Sequence, residues 1–363
     1  MEKLVLYFEH IPSWHRSLIL GGGLVLFWVL EGLVPLIRFR YHKVRHAGLN
    51  LFFTLTTVVV NLFFASLIIM AADYSTRHHT GLLYLFPMPL WLFTLIGLMI
   101  LDLIGAWLIH WLHHRIKWMW KFHLVHHSDT WVDTTTANRH HPGESVFRAA
   151  FTLLAVVVAG SPVWLVFLYQ SLSVLLSQFN HANISLPKWL DTALGWVIVS
   201  PDMHKVHHHY RRPLTDTNYG NIFSFWDRVF GTFAFVMDTK SLHYGIDTHP
   251  EERENNRMGN LLGMPFQTYR PPTTDAAPPG VTGGVSQVNT SGDPQASTSG
   301  VPQVNTSSVP QASTSGASQV NTGGVPQANT SGVSQVNTGG VPQANTSGIP
   351  PTSTHNTVPP AAN

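Results

Sequence analysis

Three short histidine strings carry the chemistry this sequence can do: His110-Trp111-Leu112-His113-His114, His123-Leu124-Val125-His126-His127 and His204-Lys205-Val206-His207-His208. Spacings of three and four place side chains on one face of an α-helix, with Cβ atoms roughly 5 to 6 Å apart, which is the reach needed to share a metal ion. His110 with His114, His123 with His126 and His127, and His204 with His207 and His208 therefore make three ligand-bearing faces. Imidazole suits iron, zinc, copper and nickel alike, so residue type does not choose the metal. Eight imidazoles exceed the about four that one ion accepts, and two ions with open positions are the economical expectation. His113, His140 and His209 each stand one step off a set and are the expected non-ligands. The chain contains no Cys, which excludes disulfides, iron-sulfur clusters, thiolate-bound haem and Cys-type zinc fingers.

These strings need elements to hold them, and the composition says what kind. Charged residues form 11% of the 363, against roughly 25% in an ordinary soluble domain, and a net charge of +2 makes no electrostatic case for nucleic acid. Ser17 to Ile37, Leu49 to Ala72 and Leu90 to Ile109 are apolar runs long enough to cross a hydrocarbon layer about 30 Å thick. The stretch before Ser17 lacks a small-residue cleavage site, so the first run is expected to be a retained span. A fourth region, Ala149 to Phe179, is split by Gly160, Ser161 and Pro162 into pieces too short to span without tilt. It predicts a helical hairpin that crosses twice or dips in and returns.

Orientation follows from Arg38, Arg40, Lys43 and Arg45, which lie between the first two spans with no acid among them and mark that loop as cytoplasmic. Counting spans places the segment after His110, and then His181 to the C-terminus, on the same side, with the N-terminus outside. Glu31 and Asp102 fall inside spans, where acids are costly and often functional. Glu31 lies within two turns of the cytoplasmic end, so snorkelling is at least as good an expectation for it as a functional role. The fold class expected is an all-α membrane protein: a transmembrane helical bundle with a cytoplasmic cap of short helices bearing a His-rich two-metal site, and a disordered C-terminal tail.

From Leu90 to Phe235 the sequence resembles the sterol desaturase and fatty acid hydroxylase superfamily of integral membrane di-iron enzymes. The likeness is carried by the HxxxH of His110 to His114, the HxxHH of His123 to His127 behind Trp120-Lys121-Phe122, and Arg139-His140-His141-Pro142-Gly143-Glu144. It continues through His181-Ala182-Asn183, the third HxxHH at His204, Asn218-Tyr219-Gly220-Asn221, and Trp226-Asp227-Arg228-Val229-Phe230-Gly231-Thr232. The resemblance implies two non-haem irons held by the eight motif histidines, with His181 and His141 as candidates to complete the shell. The same eight are then the expected catalytic residues. Trp111 stands where many members have Arg, and His209 follows the third set as a competing imidazole. Asp102 and Asp227 are expected to hold an imidazole N–H rather than bind metal.

The implied activity is an oxygen-dependent attack on C–H bonds of a lipid, a sterol, fatty acyl chain, ether lipid or carotenoid, giving a hydroxyl or a double bond, with O2 as co-substrate. No flavin or nicotinamide fingerprint appears, so electrons are expected from an external reductase or small electron carrier. Lys205, Arg211 and Arg212 form a basic patch suited to docking an acidic one, and equally suited to anionic lipid. Trp107, Trp111, Trp118 and Trp120 either line a lateral path for lipid or form an interfacial belt. The alternative function is a His-rich metal-binding membrane protein or metal transporter without redox activity. A zinc-dependent intramembrane protease would need HExxH, and that string does not occur.

Residues 1–89 are thus expected to be N-terminal membrane helices, 90–268 the catalytic domain, and 269–363 a low-complexity tail. An octapeptide repeat runs through 285–348 without aromatic residues, and its regular Pro and Gly oppose helix and sheet. Its Asn-Thr-Ser acceptor patterns fall on the expected cytoplasmic side, where they would stay unmodified.

Overall fold

The computed structural model describes residues 1–270 and the backbone of two later segments, Val288–Thr290 and Val304–Asn305. After a short helix α1 (Glu2–Glu9), long apolar helices follow: α2 (Ser13–Leu33), α3 (Lys43–His78), α4 (Leu90–Asp102), α7 (Pro142–Ala159) and α8 (Val163–His181). α4 continues through a stretch of π winding, Leu103–Leu108, directly into α5 (Ile109–Arg115). Five of these segments are long and apolar enough to cross a membrane, α4 through α5 counting as one. Their outward side chains are apolar, with Leu62, Phe63 and Met70 on α3 at 69%, 76% and 66% exposure, as suits helices whose solvent is lipid.

The third run extends six residues beyond the expected Ile109, because π winding at a functional segment carries the helix on without breaking it. The hairpin also differs from expectation. α7 and α8 have 18 and 19 residues, so each is about 27 Å long or more and needs no special tilt. α7 begins at Pro142, whose missing N–H is harmless in the first turn, with the His141 side chain capping Gly143 N at 3.0 Å. Gly160 (φ +73°) ends it and packs directly on Thr80 and Gly81, where no side chain fits. α2 approaches α8 as closely: a Cβ on Gly23 would meet Gln178, whose amide donates to Leu20 O at 2.9 Å.

At one end of the bundle, short helices α6 (Lys117–His127), α9 (Lys188–Leu194), α10 (Pro201–His207) and α11 (Phe225–Val229) form a cap. Its interior is polar. Arg139, Asp129, Asp133 and Asp227 are all fully buried and hydrogen-bonded. The loop between α2 and α3 joins this cap: Tyr41 donates to Asp133 at 2.7 Å and His46 Nε2 lies 2.8 Å from Asp129. Glu31 does not snorkel. It is 4% exposed, accepts from Thr134 N (2.7 Å) and Asn183 N (2.9 Å), and pairs with Lys43 at 3.1 Å, so it ties α2 to the cap.

The all-α expectation needs one amendment. Ala234–Val236 (β1) alternates buried and exposed side chains and pairs antiparallel with β2 (Val288–Thr290), which pairs parallel with β3 (Val304–Asn305). Strand pairs of two or three residues are what a repeat broken by Pro and Gly allows. The rest of the expected tail lies outside the described residues.

Candidate metal centre

The first two histidine strings lie on one folded-back unit. α5 ends at Ile116, whose extended backbone (φ −99°, ψ 110°) turns the chain sharply into α6, so the two helices face each other. Trp120 packs on His114 and His127, with ring centroids 4.7 and 5.3 Å apart. The third string rides on α10, which starts where Ser200 Oγ accepts from Met203 N and Pro201 sets the first turn. His181 arrives at the end of α8.

These elements bring nine imidazoles into two groups. His110, His114, His123, His127 and His207 each offer a nitrogen within 4.8 Å of the others, and so do His126, His181, His204 and His208. All eight motif histidines and His181 are therefore assembled, none more than 6% exposed. His141 is not among them: its Nδ1 caps α7 and its Nε2 lies 3.2 Å from Leu262 O, because a helix cap and a ligand cannot use the same lone pair. His209 also stays outside, its carbonyl taking the Thr215 hydroxyl. His113 and His140 are buried beside the groups. His113 lies with His123 and Glu144 in a third close set, and the His140 ring is 5.0 Å from that of His126.

The outward nitrogens explain how the rings are aimed. In the first group His110 Nδ1 donates to Tyr219 O (2.9 Å), His114 Nδ1 to Asp216 (3.1 Å), His123 Nδ1 to Glu144 (2.8 Å) and His207 Nδ1 to Thr217 O (2.6 Å). A proton on Nδ1 leaves the Nε2 lone pair facing inward. In the second group His181 Nδ1 donates to Ser177 O at 2.7 Å. Inward, the rings meet nitrogen to nitrogen: His110 and His123 at 3.1 Å, His181 with His126 and His204 at 3.2 and 3.0 Å. His114 Nε2, His207 Nε2, and both nitrogens of His127 and His208 are buried with no hydrogen-bond partner among the described residues. Converging lone pairs and orphaned nitrogens are satisfied by a cation and by little else. Burial, reinforced by neighbouring imidazoles, holds His123, His126, His127, His204 and His208 well below the usual histidine range, and burial pushes His207 down to about 4. All six are thus neutral, the form that binds metal.

Several sequence expectations are corrected here. Neither Asp102 nor Asp227 holds an imidazole. Asp102 accepts from Ile222 N and Phe223 N, both at 3.1 Å. Asp227 accepts from Tyr219 N (2.8 Å), Gly220 N (2.9 Å), Thr232 Oγ1 (2.7 Å) and Trp107 Nε1 (3.0 Å). Both carboxylates instead shape the turn whose Tyr219 carbonyl receives His110. The carboxylates that do hold rings, Glu144 and Asp216, have no spacing relation to their histidines, and only the placement of Glu144 in the motif behind His140 hinted at a role. Lys205 drops out of the basic patch: it is fully buried and donates to His181 O. Arg212 remains, bound to Asp216 at 2.9 Å. Of the tryptophans, Trp107 and Trp120 are core residues, Trp111 stacks on Trp107, and Trp118 is 55% exposed.

Residues 94–232 match the family model described as fatty acid hydroxylase. An ornithine lipid hydroxylase of Rhizobium tropici is 26% identical over 42% of this chain and 44% of its own length. An alkylglycerol monooxygenase of Danio rerio is 31% identical over 39% of this chain and 30% of its own, and methylsterol monooxygenase 2-2 of Arabidopsis thaliana is 26% identical over 52% and 71%. The chain thus spans less than half of the first two relatives. No solved structure is detectably similar. Every motif histidine and the turn behind Asp227 fall inside the segment that matches the fatty acid hydroxylase model, and the similarity of that segment to lipid hydroxylases and monooxygenases supports the sterol desaturase and fatty acid hydroxylase superfamily.

Proposed function

We propose that this protein is a membrane-embedded, oxygen-dependent oxidoreductase that uses two non-haem irons to hydroxylate or desaturate a lipid. The observation that carries the reading is the convergence of nine buried imidazoles in two groups, with lone pairs inward and five outward N–H groups anchored. His110, His114, His123, His127 and His207 would hold one iron, and His126, His181, His204 and His208 the other. Bound there, the pair would supply oxygen activation and the oxidant for an unactivated C–H bond.

The protein's part is positioning and exclusion. Asp216, Glu144 and the carbonyls of Tyr219, Thr217 and Ser177 keep the rings in one tautomer and orientation. Burial of all nine rings keeps bulk water from a reactive centre. Electrons come from a separate donor. Arg212, hydrogen-bonded to Asp216 and through it to His114, connects the surface to the first group and supports donor docking at that face. The cap shares an end of the bundle with the basic loop after α2, which supports a cytoplasmic site and C-terminus. Three-part boundaries at 89 and 268 fit this division of labour. The test is metal analysis of the purified chain with an oxygen-uptake assay on extracted membrane lipid. Two irons per chain and oxygen-dependent lipid oxidation are expected; stoichiometric zinc without turnover would overturn the reading.

A further inference from the structure

Within the bundle lies a cavity of about 620 Å³, inside the range of roughly 300–1,000 Å³ typical of small-molecule sites. It runs along α3 from Thr54 to Ile69, fifteen residues or about 22 Å of helix. At the cap end it reaches His140, beside the second histidine group; at the other end it reaches Ser13 and Arg16 at the start of α2. Its far half is lined by Leu62, Ala65, Ile68 and Phe167, and its near half by hydroxyls and one cation.

That cation is Arg148, on the second turn of α7. Its Nε donates to Glu144 at 2.8 Å, and Glu144 also receives His123 Nδ1, so the carboxylate is shared between the arginine and a ring of the first group. Among the described residues no protein acceptor is hydrogen-bonded to the two terminal nitrogens, which leaves four N–H donors uncommitted on a residue that lines the cavity. Hydroxyls around it have protein partners: Thr57 bonds Ser145 at 2.8 Å, Thr152 donates to Arg148 O at 3.0 Å, and Ser173 Oγ accepts from Asn221 Nδ2 at 2.8 Å. Uncommitted guanidinium donors in an apolar bundle are costly until matched, and their planar fork fits the paired oxygens of a carboxylate or phosphate. Arg16 is less suited to that task, since it donates to Ser13 at 3.2 Å and stacks 4.6 Å over the Phe167 ring.

We propose that Arg148 is the specificity-determining residue of this cavity: it receives an oxyanion-headed lipid head first, with the head beside the histidine groups and the hydrocarbon chain running toward α2. This assignment rests on the lipid-oxidising reading above but is tested apart from it, by binding. Calorimetric titration of the solubilised, iron-loaded full chain with palmitate, hexadecyl phosphate and hexadecanol is expected to show at least one oxyanion bound tenfold or more tighter than the alcohol. The tighter of the two says whether carboxylate or phosphate is the natural head. R148M should abolish that preference while hexadecanol still binds, R148K should keep part of it, and R16M should leave it unchanged. If R148M fails to fold, judged by iron content and thermal melting, R148Q takes its place with the same expected loss. Equal affinity for all three ligands, a preference that survives the loss of Arg148, or one removed by R16M instead would overturn the assignment. A chain that takes up no iron yet keeps the preference would count against the two-iron reading alone.

Discussion

The two histidine groups are built to different standards. In the five-membered group, four rings have their outward nitrogen fixed by Tyr219 O, Asp216, Glu144 or Thr217 O. In the four-membered group only His181 is fixed in this way, and the Nδ1 atoms of His126, His204 and His208 are buried without a partner among the described residues. The first group is therefore organised by the polypeptide itself, while most rings of the second lack an outward anchor among the described residues. Outer hydrogen bonds set ring tautomer and ligand basicity, so the difference predicts unequal affinity for the two ions.

The largest effect should come from removing a ring. His123→Ala, His127→Ala or His207→Ala is expected to abolish both iron binding and turnover, whereas His78→Ala and His243→Ala, outside both groups, should do neither. Elemental analysis with the lipid assay checks this, and turnover in any of the first three variants would break the site assignment. Next, titration with a chelator should remove the ions in two steps separated by about 10–100-fold in affinity, the four-membered group emptying first. A single step would erase the contrast between the groups.

Glu144→Gln sharpens the comparison further. The amide can hold His123 only through its oxygen and without charge, so affinity at the five-membered group should fall about 10-fold while the other changes little. Equal weakening at both, read in the same chelator titration, would show that the groups are not independent. The smallest effect is expected from truncation after Pro271, which should leave iron content and turnover intact, since the removed sequence carries none of the nine grouped histidines. Loss of either would assign the tail a role that its repeat does not suggest.

Much of this site was legible before folding. Helical spacing alone puts His123, His126 and His127 on one face, and the long apolar runs announce helices whose solvent is lipid. The misreadings share a cause: they concern residues judged by nearness in sequence. Asp102 and Asp227 stand near histidines along the chain, yet each turns to backbone N–H groups of the 219–223 turn. Lys205 sits inside a histidine string and looked like surface charge, but the helix period that points its neighbours at the metal site also buries Lys205 against His181 O. Glu31 looked free to reach water, and the cap closes over it.

By itself, the amino-acid order determined the solvent of each segment and the ligand-bearing face of each helix, because both follow from residue chemistry and a 3.6-residue period. Only the tertiary structure decided which rings from α5, α6, α8 and α10 come together, that His181 joins them and His141 does not, and that Arg148 lines a cavity. Those outcomes depend on how helices cross and which distant carbonyl or carboxylate meets each outward nitrogen, and no local periodicity encodes such long-range geometry.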